Sequence, residues 1–558
     1  PLVDYIVLAE FDIDTGSTVR HQYPSNIPGY KVDWFAEFML PEGAHNREMD
    51  YNYIFLNRDA PHEDQQLWST SSRYRASSKE EIYSDLENQS KDQCFLYGIN
   101  LVKTRYDNKV RRGAIVKAMC IFSRYQYIDI LKKPLEIALD QYFDQSNIEI
   151  LQNLYNTLNK INLSQVPKPN LLEQYLMKWG VCFDKISNTS SNYHIPMNWY
   201  YPIDFLYNNI EINLKLPIYR TPDEIIDTNL ILLIKIFGDS IMRIYHGLLT
   251  KQRILFVGYN HAASEVGLMV LSAISMISPP ISSIIRRTFP YSNLSDLSFL
   301  EVPGYIAGVT NPMFQQRDNW WDLICILDLP NMSGTIYSAE EKRKNEESHK
   351  NSDNKFIKII ISGINVFLSE EWCKQQFYDY TNNIISLLYD INNTILQNNT
   401  ILSEKQKKFI DGNSQRLHII KNTAEFSELY AHPWVWLKEQ NKLKLLTPIW
   451  LNLYSYLRRL QYENNMNNID EIQLFYQSFD LYLRTEITLQ GLLILLPLSK
   501  GGILCIAMGL FHKSPLVKYY TMRILKRLQL YTSTKYAYDT LDAYFHEAYN
   551  RIYSKDIQ

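Results

Sequence analysis

The sequence contains few cysteines and no paired metal-binding pattern. Only six of its 558 residues are cysteine, and no two of them form a CxxC pair. Most lie within apolar runs, so we expect reduced thiols in the core of a cytosolic protein rather than disulfides or a zinc site. The six are Cys94, Cys120, Cys182, Cys325, Cys373 and Cys505.

Long hydrophobic runs are also missing. The two most apolar stretches are interrupted, one by Pro279-Pro280 and the other by residues 497–502. Neither reaches the length of about 18 unbroken apolar residues that a membrane-spanning helix needs, so none is expected. The amino-terminal residues lack a basic-then-apolar signal pattern, and Pro1 stands where N-myristoylation requires glycine. We therefore expect a soluble, cytoplasmic protein.

Neither sign of charge predominates in the sequence. The 57 Lys and Arg residues nearly balance the 60 Asp and Glu residues, and the net charge is −3. A nucleic-acid binder needs a strongly basic surface to release counterions, so this class is not expected. One basic group, at Lys103, Arg105, Lys109, Arg111 and Arg112, could bind acidic headgroups or an acidic partner. We favour a solvated turn with ordinary edge charges.

The common catalytic motifs are absent from the sequence. It has no GxxxxGK[ST] phosphate loop, no GxSxG, no HExxH and no kinase signature. The DTGS run at residues 14–17 matches the signature of aspartic proteases, but that chemistry needs a second such loop, which the sequence lacks. A hairpin turn with Gly16 at positive φ is the preferred interpretation. His246 and His261 have no partner at catalytic or metal-ligand spacing. We expect no cofactor and a function that resides in a surface.

The first 144 residues predict a small α+β lobe. A β-hairpin is predicted over residues 3–23, and further strands at 95–102 and 114–122. An amphipathic helix is predicted from 131 to 143, with Pro134 near its first turn. Residues 57–93 are poor in apolar side chains and predict a solvated or disordered insertion.

The following segment, residues 145–228, gives mixed signals. A helix is suggested over residues 148–161. Prolines from Pro167 to Pro222 then predict a loop-rich connector between two lobes.

The segment from Asn229 to Leu329 carries the most consistent structural pattern. Apolar residues from Leu230 to Leu248 recur at helical spacing and predict a helix, and a run at 254–257 predicts a strand buried on both faces. A second helix is predicted at 262–277. Two more strands are predicted, at residues 305–309 and 323–327. This succession predicts an α/β lobe.

The residues of this segment resemble a known family. The succession HGLLTKQRILFVGYN, SMISPP, PGYIAGVTNPMF and WWDLICILDL resembles the central lobe of DENN-module proteins, which regulate small GTPases of vesicle traffic. The amino-terminal VDYIVLAEFDIDTGSTVRHQYP resembles the fungal Arf-docking, stabilization-of-polarity-axis (SPA) branch of that family. The resemblance implies a longin-like upstream lobe over residues 1–144 and a central α/β DENN lobe over residues 229–330.

The remaining residues follow this central lobe. Residues 331–355 are highly charged and predict a linker. Apolar and aromatic residues at helical spacing then predict a mostly helical downstream region over residues 356–558.

The resemblance implies a regulator that binds a small GTPase of the Rab or Arf class in vesicle traffic or cell polarity. In the main hypothesis the protein promotes GDP/GTP exchange by holding the switch segments in a form that cannot coordinate Mg²⁺ and phosphate. In the alternative it is a non-exchange effector or docking scaffold for GTP-loaded Arf. A third hypothesis is a structural helical adaptor that uses the carboxyl-terminal half. We also expect a location peripheral to membranes.

The candidate partner-binding residues lie in the central lobe. Two of them, Arg286 and Arg287, are predicted to begin a strand. The loop from Asn311 to Trp321 carries Arg and Trp, the residue types that dominate interface energetics. Because neighbouring residues of a strand face opposite sides, we expect one of its two tryptophans to be buried and the other to contribute to a surface. The candidate set is Arg286, Arg287, Gln315, Gln316, Arg317 and Trp320.

Overall fold

The computed structural model describes thirteen segments of the chain, which group into two compact units. The described residues are 1–12, 16–57, 95–106, 114–166, 200–218, 227–278, 281, 284–339, 350–381, 384, 413–421, 469–495 and 503–556. The first unit comprises Pro1–Val166, Tyr200–Pro217 and Thr221–Leu429, and the second Pro167–Trp199, Ile218–Arg220 and Tyr430–Gln558. The first unit thus extends into the region predicted to be one helical block from 356 to 558. Among the described residues, no helix is long and apolar enough to cross a membrane.

The first lobe contains a five-stranded antiparallel sheet. Its strand order is β2-β1-β5-β4-β3. The hairpin predicted over residues 3–23 is confirmed, and Gly16 has a φ of +77°, as the turn interpretation requires. The predicted strand pair at 95–122 is also confirmed. Residues 58–94 lie outside the described part. The strands are β1 (Tyr5–Asp12), β2 (Gly16–Tyr23), β3 (Met49–Asn57), β4 (Phe95–Tyr106) and β5 (Ala114–Ser123).

Helices cover both faces of this sheet. Helix α1 (Val32–Met39) buries Phe35 and Met39 in a core with alternate residues of β5, among them Phe122. Helix α2 (Lys132–Gln145) packs on the other face, followed by α3 (Glu149–Asn159). Both α2 and α3 fall where the sequence predicts helices.

Two members of the predicted basic group point at α2. Lys103 Nζ lies 2.8 Å from Asp140 Oδ2, and Arg105 donates to Asp144 Oδ1 at 2.6 Å. Because β4 lies between β5 and β3, these two residues form ion pairs within the lobe and are not the solvated edge charges that the sequence suggested. The other three members, Lys109, Arg111 and Arg112, lie outside the described residues.

The predicted loop-rich connector contains a β-hairpin. Strands β6 (Tyr200–Tyr207) and β7 (Ile210–Pro217) pair antiparallel and are joined by Asn208 and Asn209. Both asparagines have positive φ, 50° and 64°, the values of a type I′ turn. The prolines of this segment indicate loops, so the sequence does not predict the hairpin. Proline is nevertheless tolerated at strand ends and in edge strands.

The central lobe contains a second, separate sheet. Its order is β12-β11-β8-β10-β9, with β12 antiparallel and the other four strands parallel. The predicted strands at 254–257, 305–309 and 323–327 are all present. Every residue of β8 and β10 is buried. The strands are β8 (Ile254–Val257), β9 (Thr288–Phe289), β10 (Ile306–Val309), β11 (Leu323–Asp328) and β12 (Ser333–Ser338).

Two expectations for this lobe need correction. The single helix predicted over Leu230 to Leu248 is two helices, α4 (Leu230–Phe237) and α5 (Ile241–Leu249). Gly238, at a φ of +53°, ends the first helix, and the apolar stripe simply resumes after it. The predicted linker at 331–355 contains β12, whose polar residues suit an edge strand with an exposed face. The second predicted helix is confirmed as α6 (Ala263–Ile274).

Further helices complete the first unit. Helix α7 (Lys350–Asn365) is followed by a helical segment at 370–381 and by α8 (Ser414–Lys421). The fully buried Arg416 of α8 donates to both carboxylate oxygens of Asp353 on α7 and, at 3.1 Å, to His246 Nδ1 on α5. This network ties three helices together and gives His246 a structural role.

The second unit is helical in its described residues. Its core is formed by apolar side chains that include Leu483, Leu492, Val517 and Leu525. One basic side chain of the helix Pro515–Leu530 points inward, because Arg527 lies 2.9 Å from the buried Asp480. The helices are α9 (Ile469–Tyr482), α10 (Glu486–Leu495), α11 (Leu504–Ala507), α12 (Pro515–Leu530), α13 (Thr532–Asp539) and α14 (Ala543–Asp556).

Candidate partner-binding surface

Asp50 joins the first lobe to the central lobe. It lies on β3, is 5% exposed, and its carboxylate accepts hydrogen bonds from the backbone N–H groups of Ala263 (2.9 Å) and Ser264 (3.2 Å). These N–H groups open α6 and have no acceptor within the helix. Ala262, at the N-cap position, offers no side-chain oxygen, so Asp50 supplies the cap from the other lobe. Its charge also lies at the positive end of the helix dipole.

Other hydrogen bonds extend this contact, which we call the interlobe seam. They run from α1 and the segment before β3 to the loops that follow β8, β9 and β10. Backbone groups take part in three of these six bonds, so the contact depends on the backbone course of both segments as well as on side chains. The bonded pairs are Trp34–Asp296 (2.8 Å), Glu37–Asn293 (2.9 Å), Glu37–Ser295 (3.1 Å), Glu42–Tyr291 (3.1 Å), Glu42–Asn311 (3.1 Å) and Arg47–Asn260 (2.5 Å).

A groove of about 250 Å³ opens at the interlobe seam. The Trp34 indole, which forms part of its lining, stacks on Phe38 with ring centroids 4.3 Å apart. Three carboxylates and one lysine are among the lining groups, so its net charge is negative. An aromatic ring beside carboxylates suits a basic side chain. The lining residues are Ser17, Lys31, Asp33, Trp34, Glu37, Phe38, Ser295 and Asp296.

The predicted interface loop crosses one face of the central sheet, from the end of β10 to the start of β11. Trp321 is buried at 6% exposure and donates to the carbonyl of Phe314, whereas Trp320 is half-buried. The structure thus places one tryptophan in the core and one at the surface. Gln315, Gln316 and Arg317 are exposed.

A cation–aromatic contact organises the exposed end of this loop. The Arg317 guanidinium lies 5.9 Å from the centroid of the Trp320 ring. Asn311, at the start of the loop, reaches Glu42 across the interlobe seam. The loop and the groove therefore both adjoin the seam.

The two predicted arginines of the central lobe differ in their surroundings. Arg287 is 3% exposed, and its guanidinium donates to the backbone carbonyls of Gly304 and Leu248 (2.9 Å for the latter). It is held inside the lobe, so its placement does not support a role in an exposed surface. Arg286 precedes β9 at the amino-terminal end of the parallel strands and is half-buried.

Sequence reasoning did not select the seam residues. Asp50, Trp34 and Asp296 match no motif, and their partners lie more than 200 positions away in the chain. One signal was available, since the helix predicted over residues 262–277 begins at Ala262, whose side chain cannot act as a cap. It indicates that a distant acceptor is needed but does not name it. Among the described residues, no three His, Cys, Asp or Glu side chains are grouped to hold a metal ion.

Two family models match this chain, one on each side of the interlobe seam. The model described as "Docking domain of Afi1 for Arf3 in vesicle trafficking" matches residues 5–110, which include β1 to β4 and α1. The model described as "Stabilization of polarity axis" matches residues 227–334, which include α4 to α6 and β8 to β11. These matches support the fungal Arf-docking and polarity-axis branch. Asp50 lies in the Arf-docking match and caps a helix of the polarity-axis match.

Similar curated proteins agree with the Arf-docking and polarity-axis branch. An AFI1-like protein of Schizosaccharomyces pombe is 22% identical over 613 aligned positions, which cover 97% of this chain and 96% of that protein. The ARF3-interacting protein 1 of Saccharomyces cerevisiae is 24% identical over 224 positions, covering 30% of this chain and 25% of that protein. None of these descriptions names a DENN module or nucleotide exchange.

Proposed function

We propose that this protein docks a GTP-loaded small GTPase of the Arf class, as an effector or scaffold in vesicle traffic and cell polarity. The observation that carries the proposal is the interlobe seam. Through it, the region similar to an Arf-docking domain and the region similar to the polarity-axis family pack together and share a bordering surface. A GTPase bound beside the seam would contact both lobes at once.

Docking is favoured over catalysed exchange of nucleotide. One matching family model is described as a docking domain for Arf3, and one relative is named as an ARF3-interacting protein. A docking protein needs only to distinguish the GTP form from the GDP form by differential affinity. An exchange factor must instead bind the nucleotide-free form most tightly, because nucleotide and exchange factor weaken each other's binding by the same factor.

The groove and the neighbouring loop offer complementary chemistry for such a partner. The groove presents carboxylates beside Trp34, which suits basic side chains, while the loop presents Arg317 over Trp320. Arginine and tryptophan are enriched among residues that carry binding energy. We place the GTPase contact on these two features.

The decisive experiment is capture of GTPases by the full chain. Arf and Rab proteins are each presented nucleotide-free, GDP-loaded and GTP-loaded. The proposal expects preferential retention of one or more Arf proteins in the GTP state. Strongest retention of a nucleotide-free form would instead identify an exchange factor. Equal retention of all three states would contradict both functions.

Charge reversal tests the position of the contact. Arg317→Glu is expected to weaken capture of the GTP-loaded GTPase about tenfold, because it reverses a charge at the proposed contact. Arg286→Glu tests the other predicted arginine, which lies outside the groove and the loop. Arg551→Glu is a matched control, since Arg551 is exposed but lies in the second unit. Circular dichroism checks that the variants remain folded. Unchanged affinity for a variant would remove that arginine from the site.

A further inference from the structure

The turn after α7 exposes three consecutive apolar side chains. Val366 is 68% exposed, Phe367 95% and Leu368 38%. Ile359, which lies two turns earlier on the same helix, is 57% exposed. Full exposure of one apolar residue is ordinary, but a contiguous apolar set on a surface marks an interaction site. We call residues 366–368 the apolar turn.

The backbone holds the apolar turn in a defined shape. The Leu368 N–H donates to the Gly363 carbonyl and the Phe367 N–H to the Ile364 carbonyl, both at 3.0 Å, which closes the end of the helix. Phe367 has a φ of +61°, in the left-handed region where glycine usually ends a helix. A large side chain at this position is unusual and does not serve the folding of the turn. Its conformation instead directs an aromatic ring into solvent.

The flanking helix carries positive charge beside this apolar surface. Lys355 and Ile359 lie four residues apart on one exposed stripe of α7, and Val366, seven residues further, continues that direction in the turn. Lys358, also exposed, lies beside the stripe. The two lysines are about 12 to 16 Å along the helix from Val366. On the other side of the turn, Glu370 and Glu371 share one lysine, Lys374, at 3.2 and 3.6 Å. These three side chains and the two lysines of α7 together carry a net charge of +1.

We propose that the apolar turn inserts into the surface of an anionic lipid bilayer. Its three adjacent, exposed apolar side chains suit the boundary between headgroups and acyl chains, which interfacial segments penetrate by about 5–10 Å. Lys355 and Lys358 then reach headgroup phosphates with their flexible side chains. An anionic membrane surface would use both the lysines of α7 and the apolar side chains of the turn. A pocket in a protein would require only the apolar side chains, so we favour the membrane.

The test is binding of the full chain to vesicles. Vesicles of phosphatidylcholine alone are compared with vesicles of equimolar phosphatidylcholine and phosphatidylserine. We expect binding to the anionic vesicles, and loss of about tenfold or more of the partition coefficient in Phe367→Gly, which deletes the inserted ring. The Lys355→Glu/Lys358→Glu double variant is expected to weaken binding to the anionic vesicles. Leu206→Ser is the control, because Leu206 is 62% exposed on the β6–β7 hairpin.

The glycine variant separates binding from folding. Glycine fits a φ of +61° better than phenylalanine, so Phe367→Gly should keep or raise the thermal unfolding midpoint. The proposal is overturned if the unaltered chain binds neither kind of vesicle, or if Phe367→Gly binds anionic vesicles as well as the unaltered chain. Loss of capture of a protein partner by Phe367→Gly, with vesicle binding intact, would assign the turn to that partner and also overturn it.

Discussion

The carboxylate of Asp50 offers the sharpest test of the interlobe seam at the residue scale. Asp50→Ala removes the acceptor for two N–H groups of α6 and leaves them buried, so we expect a loss of about 1–3 kcal/mol in the free energy of unfolding. Urea denaturation monitored by circular dichroism measures it. Glu48→Ala, an exposed acidic residue next to β3, is the matched control and should change stability little. Equal effects of the two substitutions would show that the cap does not stabilise the seam.

A second group of residues, around Tyr53, combines one hydroxyl with two carboxylates. The Tyr53 hydroxyl contacts Asp129 and, at 2.6 Å, Asp227 Oδ2, and Lys132 contacts both carboxylates. Burial raises the pKa of the Asp129 carboxyl above its ordinary value of 3.8, against the attraction of Lys132. Burial acts in the same direction on Asp227, but hydrogen bonds from Lys132 and Tyr53 outweigh it and lower the pKa of Asp227.

These opposite shifts predict opposite effects of pH. Between its ordinary and its raised pKa, Asp129 holds more protons in the folded state than in the unfolded state, so its contribution to stability falls as pH rises. The contribution of Asp227 is present above its ordinary pKa and is lost as pH falls through its lowered value. Asp129→Asn should therefore be at least as stable as the unaltered chain at pH 7, whereas Asp227→Asn should be less stable.

Urea midpoints from pH 3 to 7 distinguish the two variants. The stability gain of Asp129→Asn over the unaltered chain should widen as pH rises, and the deficit of Asp227→Asn should shrink as pH falls. A deficit of Asp129→Asn that grows toward neutral pH would contradict the assignment of a buried, raised-pKa carboxyl.

At the scale of single elements, the turn between β6 and β7 requires residues that tolerate a positive φ. Tyr207 pairs with Ile210, so the loop contains only Asn208 and Asn209, both at positive φ. Asn209→Gly should stabilise the first unit by about 0.5 kcal/mol, because glycine adopts this φ without steric cost. Asn209→Val should destabilise it by about 1 kcal/mol or more, since a β-branched residue clashes there. Thermal unfolding ranks the three chains, and any order other than Gly, Asn, Val would argue against a type I′ turn.

Sequence periodicity located elements where one pattern dominated. The buried strands β8 and β10 followed directly from short apolar runs, and α6 from apolar residues at helical spacing. Periodicity did not locate β12, because an edge strand with an exposed face can be polar. Nor did it find the break at Gly238, since the stripes of α4 and α5 continue in phase across the break.

At the scale of the whole molecule, the two compact units predict separable unfolding. Leu525 is fully buried in the core of the second unit, and Leu525→Ala should cost that unit about 2–5 kcal/mol through the cavity it leaves. In calorimetry we expect one transition to move to lower temperature while a second stays in place. Asp50→Ala should move the other transition. Movement of both transitions by either variant would show that the units unfold as one.

The same pair of variants bears on function at this scale. Because the proposed GTPase contact borders the interlobe seam of the first unit, Leu525→Ala should retain capture of GTP-loaded Arf below its transition. Asp50→Ala should weaken it. Loss of capture in Leu525→Ala alone would place the contact in the second unit.

The chain's local patterns by themselves determined the hairpin, the strand pair and the succession of helices and strands in the central lobe. Apolar spacing and turn residues act between near neighbours, so they can be read directly. Only the tertiary structure decided that Arg287 is internal, that Trp321 is the buried tryptophan, and that Asp50 caps a helix more than 200 residues away. The first two outcomes depend on packing within the central lobe and the third on contact between two lobes, and no local sequence pattern specifies such contacts.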